Sequence, residues 1–304
     1  SEMCIRDRQC SVLYGQNSIS QNHNYILTRS PLAGVSDISN LNSTHCLHTI
    51  QYLDQTGKLE ETVLLKRSPN SCDIIDYQEY DALDRATSEW LPIVYESNNN
   101  GAFVDSGTQL ELSREFYNDF DPLSATHYEP SFRERISAKF GAGEDWTSRD
   151  RSIKMNYTSN KKDGSSFSCA HFKVSYSNDT LVTIKREIDY DTAELYVTST
   201  TDEDNRVTYE FKNRLGQTLL IRQLSENNNH DTYYIYDDFG NTAAVLPPAA
   251  SELLSEGNSY NNNSSAISRY AYLYCYDKRG YCIGKKLPAS AWTYYIYDKA
   301  GRLI

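Results

Sequence analysis

Apolar and polar positions alternate with a period of two through much of this chain, as expected of strands that bury one face. The alternation is clear in 166–176, 180–188 and 194–200, separated by turn signals such as Lys162-Asp163-Gly164 and Ser177-Asn178-Asp179. Segment 131–140 reads instead as a short helix, with Ser131 near its N-terminus and Gly141 as a stop signal. The sharpest pattern is Tyr-x-Tyr-Asp-x-x-Gly. It occurs at Tyr234, Tyr236, Asp237 and Gly240; at Tyr274, Tyr276, Asp277 and Gly280; and at Tyr295, Tyr297, Asp298 and Gly301. Weaker copies are Tyr52, Asp54 and Gly57; Tyr80, Asp81, Asp84 and Arg85; and Phe211, Asn213 and Gly216.

Each copy has a physical reading. Tyr-x-Tyr puts both rings on one face of a strand. The Asp or Asn side chain accepts main-chain amides ahead of it and closes a turn, and the Gly three residues on takes positive φ where a β-branched residue would be strained. Leu-Pro then recurs at Leu91-Pro92, Leu246-Pro247 and Leu287-Pro288, where proline ends the second strand because it cannot donate to a ladder. Turn positions are 27 residues apart from Asp54 to Asp81, 24 from Asn213 to Asp237 and 21 from Asp277 to Asp298. The 40 residues from Asp237 to Asp277 include an Asn/Ser-rich loop at 257–265. Units this short must stack on neighbours to bury a face.

Composition agrees. Tyrosine supplies 25 of 304 residues, favouring strands. The net charge of −11 falls mostly in 93–205, and the chain has no basic stripe, which argues against nucleic-acid binding. The seven cysteines (Cys4, Cys10, Cys46, Cys72, Cys169, Cys275, Cys282) include no Cys-x-x-Cys pair, so neither a disulfide framework nor a zinc ribbon is expected. No apolar run reaches the length of a membrane span. His45 and His48 would share a helical face, but the strand pattern of 49–53 places them on opposite faces, against metal binding. The acidic run Asp202-Glu203-Asp204-Asn205 reads as a solvated hairpin tip. Most repeat turns offer one carboxylate, too few for calcium.

The expected architecture is all-β: stacked β-hairpin repeats in a spiralling, shell-like sheet, with a mainly β inserted region carrying a short helix. The expected divisions are 1–22, disordered or non-native; 23–92, N-terminal repeats; 93–205, inserted region; and 206–304, further repeats. The opening residues 1–8 resemble a translated sequencing adapter, and the chain reads as a fragment whose last unit, by Ile304, stops within a strand.

These motifs resemble the YD-repeat, or RHS (rearrangement hotspot), family. The run from Thr232 to Asn241 ending in Val245-Leu246-Pro247-Pro248, and that from Tyr274 through Leu287-Pro288 to Arg302, are similar to Bacteroides-type RHS proteins. Ile50-Gln51-Tyr52, 77–85 and 195–211 resemble the uncharacterised domain preceding the RHS core in those proteins. The resemblance covers 23–304 and implies a hollow shell of hairpins that, in relatives, encloses a toxic C-terminal domain released by autoproteolysis. It implies as partners the C-terminal core and effector of the same polypeptide, and a secreted or cell-surface setting. The self-cleavage aspartates and Asp-Pro-x-Gly signatures of that core have no counterpart here, so no catalytic residue carries over. The expectation is a non-catalytic scaffold without cofactor or metal. The alternative is a carbohydrate-binding or adhesive surface module, with Tyr236, Tyr276 and Tyr297 as candidates for stacking on sugar rings. Buried rings at those positions favour the scaffold, and an exposed row favours the sugar.

The turn reading has a direct test. Gly240→Val and Gly280→Val are expected to destabilise the fold by ~1–3 kcal/mol, measured by denaturant unfolding, if φ is positive there. A loss of only a few tenths would exclude the turn.

Overall fold

The computed structural model describes residues 19–20, 22–32, 46–96, 99–178, 181–225 and 228–304. Most of the expected 1–22 segment lies outside them, as does His45. The fold is all-β, built of antiparallel strands with few helices. It forms two compact units, Ser1–Ser152 and Ile153–Ile304. The block 93–205 is thereby divided between them.

The first unit contains β1 (Asn24–Pro31), β2 (Cys46–Leu53), β3 (Leu59–Leu64), β4 (Asp73–Tyr80), β5 (Ala86–Trp90), β6 (Ile93–Tyr95), α1 (Ser106–Tyr117), β7 (Leu123–Tyr128), β8 (Ile136–Phe140) and α2 (Glu144–Thr147). Strands β1 to β4 pair in sequence order. The free edge of β4 then forks, with Asp73–Ile75 paired to β6 and Gln78–Tyr80 to β5, which continues to β7 and β8. Register sorts one face of β1–β4 into rows. Leu27, Ile50, Val63 and Ile75 stand opposite one another, and the neighbouring row is Tyr25, Tyr52, Glu61 and Tyr77. Ile50, Tyr52, Val63 and Ile75 are fully buried, so these rows are the core of the unit.

The helix of this region is not at 131–140. That segment is the loop and second strand of the β7–β8 hairpin, with His127 opposite Ala138 and Ala125 opposite Phe140. Helix α1 lies upstream instead. Asp105 caps it by accepting the Thr108 amide at 3.1 Å, and Asn118 ends it in the left-handed region at φ 48°. Its apolar periodicity is weak, because the buried positions on α1 are Gln109 and Ser113, which left the sequence without a helical stripe to read.

The second unit contains β9 (Ser152–Ser159), β10 (Phe172–Asn178), β11 (Leu181–Arg186), β12 (Tyr196–Thr201), β13 (Val207–Lys212), β14 (Thr218–Leu224), β15 (Asn229–Tyr236), β16 (Thr242–Leu246), α3 (Pro248–Ser251), β17 (Ser259–Asn261), α4 (Ser265–Tyr270), β18 (Tyr272–Tyr276), β19 (Cys282–Lys286) and β20 (Trp292–Tyr294). A meander runs β9–β12–β13–β14–β15–β16–β18–β19–β20, all antiparallel. A small sheet, β10–β11–β17, lies over it, and the two share one core that includes Val182, Ile184, Phe211, Leu220, Leu246 and Leu273. The 257–265 segment, expected as a plain loop, supplies strand β17 to that small sheet.

The strand expected at 166–176 begins only at Phe172, and over 166–168 Arg222 holds the backbone out of a ladder. Its guanidinium is 6% exposed and grips the Asp231 carboxylate opposite with two bonds, at 2.7 and 2.6 Å. Its remaining nitrogen donates to the carbonyls of Ser166 and Ser168, both at 2.9 Å. Those carbonyls are therefore turned toward the larger sheet rather than into a ladder. Arg222→Ala is expected to destabilise the second unit by ~3–5 kcal/mol in denaturant unfolding, because it leaves the Asp231 carboxylate without its cation and the Ser166 and Ser168 carbonyls without that donor. A loss below about 1 kcal/mol would mean that water replaces the guanidinium there.

Candidate functional site

The repeat turns are one object built seven times among the described residues. At Asp237 the backbone N–H donates to the Asn241 carbonyl at 2.9 Å, and the Gly240 N–H donates to the Asp237 carbonyl at 3.0 Å. The Asp237 Oδ1 accepts the amides of Phe239 at 3.0 Å and Asn241 at 2.8 Å. This is a type I turn followed by a left-handed residue, a hairpin form that matches the twist of the flanking strands. The same bonds recur at Asp54, Asp81, Asn213, Asp277 and Asp298. The seventh copy is Asp202, which accepts the amides of Asp204 and Arg206 with Asn205 at φ 63°. Sequence reading saw a hairpin tip there but not a repeat, since no tyrosine precedes it and asparagine replaces glycine.

The left-handed position is filled by Gly57, Gly216, Gly240, Gly280 and Gly301, with φ from 78° to 88°. Asp84 takes it at φ 63°. Side-chain acceptance fixes charge as well. Hydrogen bonds from Lys58 and Thr56 hold the Asp54 carboxyl below the usual range, and the Arg85 guanidinium and amide do so for Asp81. Arg302 acts likewise on Asp298, while at Asp277 partial desolvation opposes the bonds from Tyr281 and Arg279 and is outweighed.

The tyrosine immediately before the aspartate does a separate job. Its hydroxyl donates to a carbonyl of the preceding hairpin: Tyr80 to Leu59 at 2.8 Å, Tyr236 to Thr218, Tyr276 to Thr242 and Tyr297 to Cys282, each at 3.0 Å. The acceptor is always five residues past the preceding turn's Asp or Asn. Register repeats too: Glu61 pairs with Tyr77, Leu220 with Tyr233, Ala244 with Leu273 and Gly284 with Tyr294. In every case the residue seven past one turn head faces the residue four before the next. Burial pushes the hydroxyls of Tyr80 and Tyr236 up, and that of Tyr276 up to about 12, so they remain donors at neutral pH. Tyr52 and Phe211 stand one residue earlier relative to their turn heads. They point into the core and are fully buried, so they are not hydroxyl clamps of this kind.

A third contact couples successive turns. Lys58 donates to the carbonyl of Asp84, and Gln217 to that of Gly240. The Tyr281 ring stacks on Tyr297, with centroids 5.0 Å apart, and lies where a Cβ on Gly301 would stand. The structure thus places the turn residues in a chain of hydrogen-bonded joints, and Tyr236, Tyr276 and Tyr297 at those joints as half-buried rings. Cys46 and His48 share the inward face of β2, and the described residues hold no group of three metal-ligating side chains.

Residues 27–159, less than half of the chain, match the family described as a domain of unknown function (DUF6443). A search of the curated proteins found no match. Among solved structures, the chain is similar to the crystal structure of TcdB2-TccC3-TEV, with a TM-score of 0.53 and 12% identity over 98% of this chain and 13% of that one. It is similar also to TcdB2-TccC3 without hypervariable C-terminal region, with the same TM-score and identity over 92% of this chain and 12% of that one. The chain therefore spans about an eighth of the length of the structures it matches, and at this identity the likeness is one of fold.

Two outcomes follow from the joints. Tyr236→Phe is expected to cost ~1 kcal/mol, and its effect should add to that of Tyr276→Phe, since the two hydroxyls serve different joints. Unfolding curves showing no loss would mean that the Thr218 carbonyl is equally well served by water. The depressed turn carboxylates bind protons more weakly folded than unfolded, so their stabilisation is complete above the ordinary carboxylate range and is lost as pH falls through the depressed values. Thermal midpoints should drop below about pH 4. Asp277→Asn should flatten part of that acid slope while keeping the turn, as Asn213 does naturally. An unchanged slope would remove the carboxylate from the account.

Proposed function

We propose that this chain is a structural segment of an RHS-type, YD-repeat protein, forming part of the wall of a β-shell rather than a catalytic centre. The observation that carries the reading is the recurring joint: the same register and tyrosine-to-carbonyl bond at four hairpin contacts, one in the first unit and three in succession in the second, two structural requirements that serve assembly of a continuous sheet in each. The fold shared with the TcdB2-TccC3 structures supports it. In this reading the working parts, including any enclosed effector, belong to other segments of the same polypeptide, and the protein acts at the cell surface or after secretion. The tyrosines proposed to stack on sugars spend their hydroxyls on backbone carbonyls, which leaves them poorly suited to a glycan.

Long-read sequencing across the source locus, followed by electron microscopy of the complete product, tests this. The expected result is a reading frame continuing through more Tyr-Asp hairpins into a core and variable tail, and particles with a hollow interior. A stop codon soon after Ile304, a signal peptide upstream and retention of the protein on a glycan array would overturn it.

A further inference from the structure

Residues 99–105 carry no ladder of their own and lie across the rows of β2–β4, bonded to side chains that rise from the sheet. The Gly101 N–H donates to Asp73 Oδ2 at 2.7 Å, and the Gly101 carbonyl accepts the Tyr52 hydroxyl at 2.6 Å. Phe103 donates its N–H to Ser20 Oγ at 3.0 Å and stacks on His23, with centroids 4.1 Å apart. The Val104 N–H lies 3.2 Å from both oxygens of Glu61. A Cβ on Gly101 would collide with the Ile50 side chain, so the segment sits as close to the sheet as backbone can. Asp105, the cap of α1, follows directly.

Glu61 is the misfit in this arrangement. It is fully buried in an aromatic row, and among the described residues no Lys or Arg forms an ion pair with it. The groups around it are Tyr52 on β2, with Tyr25 of β1 beyond it in the same row, Tyr77 on β4, Glu60 on its own strand, and Val104 beside the His23-stacked Phe103 on the segment above. None of the neighbouring acids or phenols offers a compensating charge. An ionised carboxylate there is fully buried with one amide donor, an arrangement that burial makes costly.

We propose that Glu61 is a pH-sensitive latch: the 99–105 segment is a strap that lies shut across β2–β4 while the Glu61 carboxyl is protonated and lifts when it ionises. Lifting the strap gives the carboxylate water and uncovers Ile50 and Tyr52. Burial pushes the Glu61 carboxyl up to about 8 in the closed form, with the charge of Glu60 adding and the Val104 N–H opposing. The closed form therefore holds a proton that the open form releases in the ordinary carboxylate range. Closure is most favoured below that range and weakens as pH rises. The open fraction grows by up to about tenfold per pH unit, levelling off above about 8. This inference concerns the first unit alone and stands whether or not the chain is a shell wall.

Limited proteolysis with chymotrypsin reads it, with fragment masses reporting cleavage after Phe103. Cleavage after Phe132, whose ring is 94% exposed in the β7–β8 loop, normalises for protease activity at each pH. Between pH 6 and 8 the normalised cut at Phe103 should rise tenfold or more in the wild type, and stay flat in Glu61→Gln. A flat wild-type profile, or an equal rise in Glu61→Gln, overturns the latch. Hydrogen exchange of the wild type supplies a readout that needs no variant. After correction for intrinsic rates, peptides covering 99–105 should lose protection over the same interval while those of the second unit's core keep theirs. Retained protection at 99–105 overturns it as well.

Discussion

A single side-chain oxygen at the head of each turn is the constraint on which the sheet depends. By accepting the amides two and four residues ahead, it fixes where the chain reverses and therefore which residues face the next hairpin. Side chains alternate with period two, so a one-residue slip at any turn would exchange the buried and outer faces of everything beyond it. The tyrosine hydroxyl and the repeated register between hairpins act downstream of that choice. They carry one turn's placement into the next, which is how units too short to hold a core share one.

Much of this was legible in the residues because turn chemistry is local. Asp or Asn followed at three by Gly states both the acceptor and the positive φ, and the structure has both at Asp54, Asn213, Asp237, Asp277 and Asp298. The Asp202 turn was less legible because its left-handed residue is Asn205 and its neighbours lack an aromatic. What sequence could not show is decided by partners distant along the chain. The segment before β10 is held out of the ladder by distant partners: Arg222, more than fifty residues away, takes the Ser166 and Ser168 carbonyls, and the Tyr190 and Glu187 amides take those of Cys169 and His171. Helix α1 hides because its buried face is Gln109 and Ser113 rather than an apolar stripe, while 131–140 mimicked a helix and is a hairpin. For the tyrosines, the repeat told that they mattered but not that their hydroxyls are consumed internally.

One buried charged residue in each unit shows two opposite ways of handling the cost of burial. In the second, Arg222 arrives with its own carboxylate, and the remaining N–H groups find carbonyls, so a costly group becomes a tie between the larger sheet and the segment that leads into β10. In the first, Glu61 arrives alone among aromatic rings, and the protein meets the cost by keeping a proton. A compensated charge makes a tie that is insensitive to neutral pH, and an uncompensated one makes a contact whose strength follows proton activity.

The two residues between each turn head and its left-handed position answer to no packing requirement of the sheet. They are Gln55-Thr56, Ala82-Leu83, Glu203-Asp204, Arg214-Leu215, Asp238-Phe239, Lys278-Arg279 and Lys299-Ala300, a set that spans acid, base, aliphatic and aromatic chemistry. Leu215 is 83% exposed and Phe239 is 89% exposed. Selection can therefore rewrite these crests one at a time, for contact with other molecules, while the sheet beneath keeps its geometry.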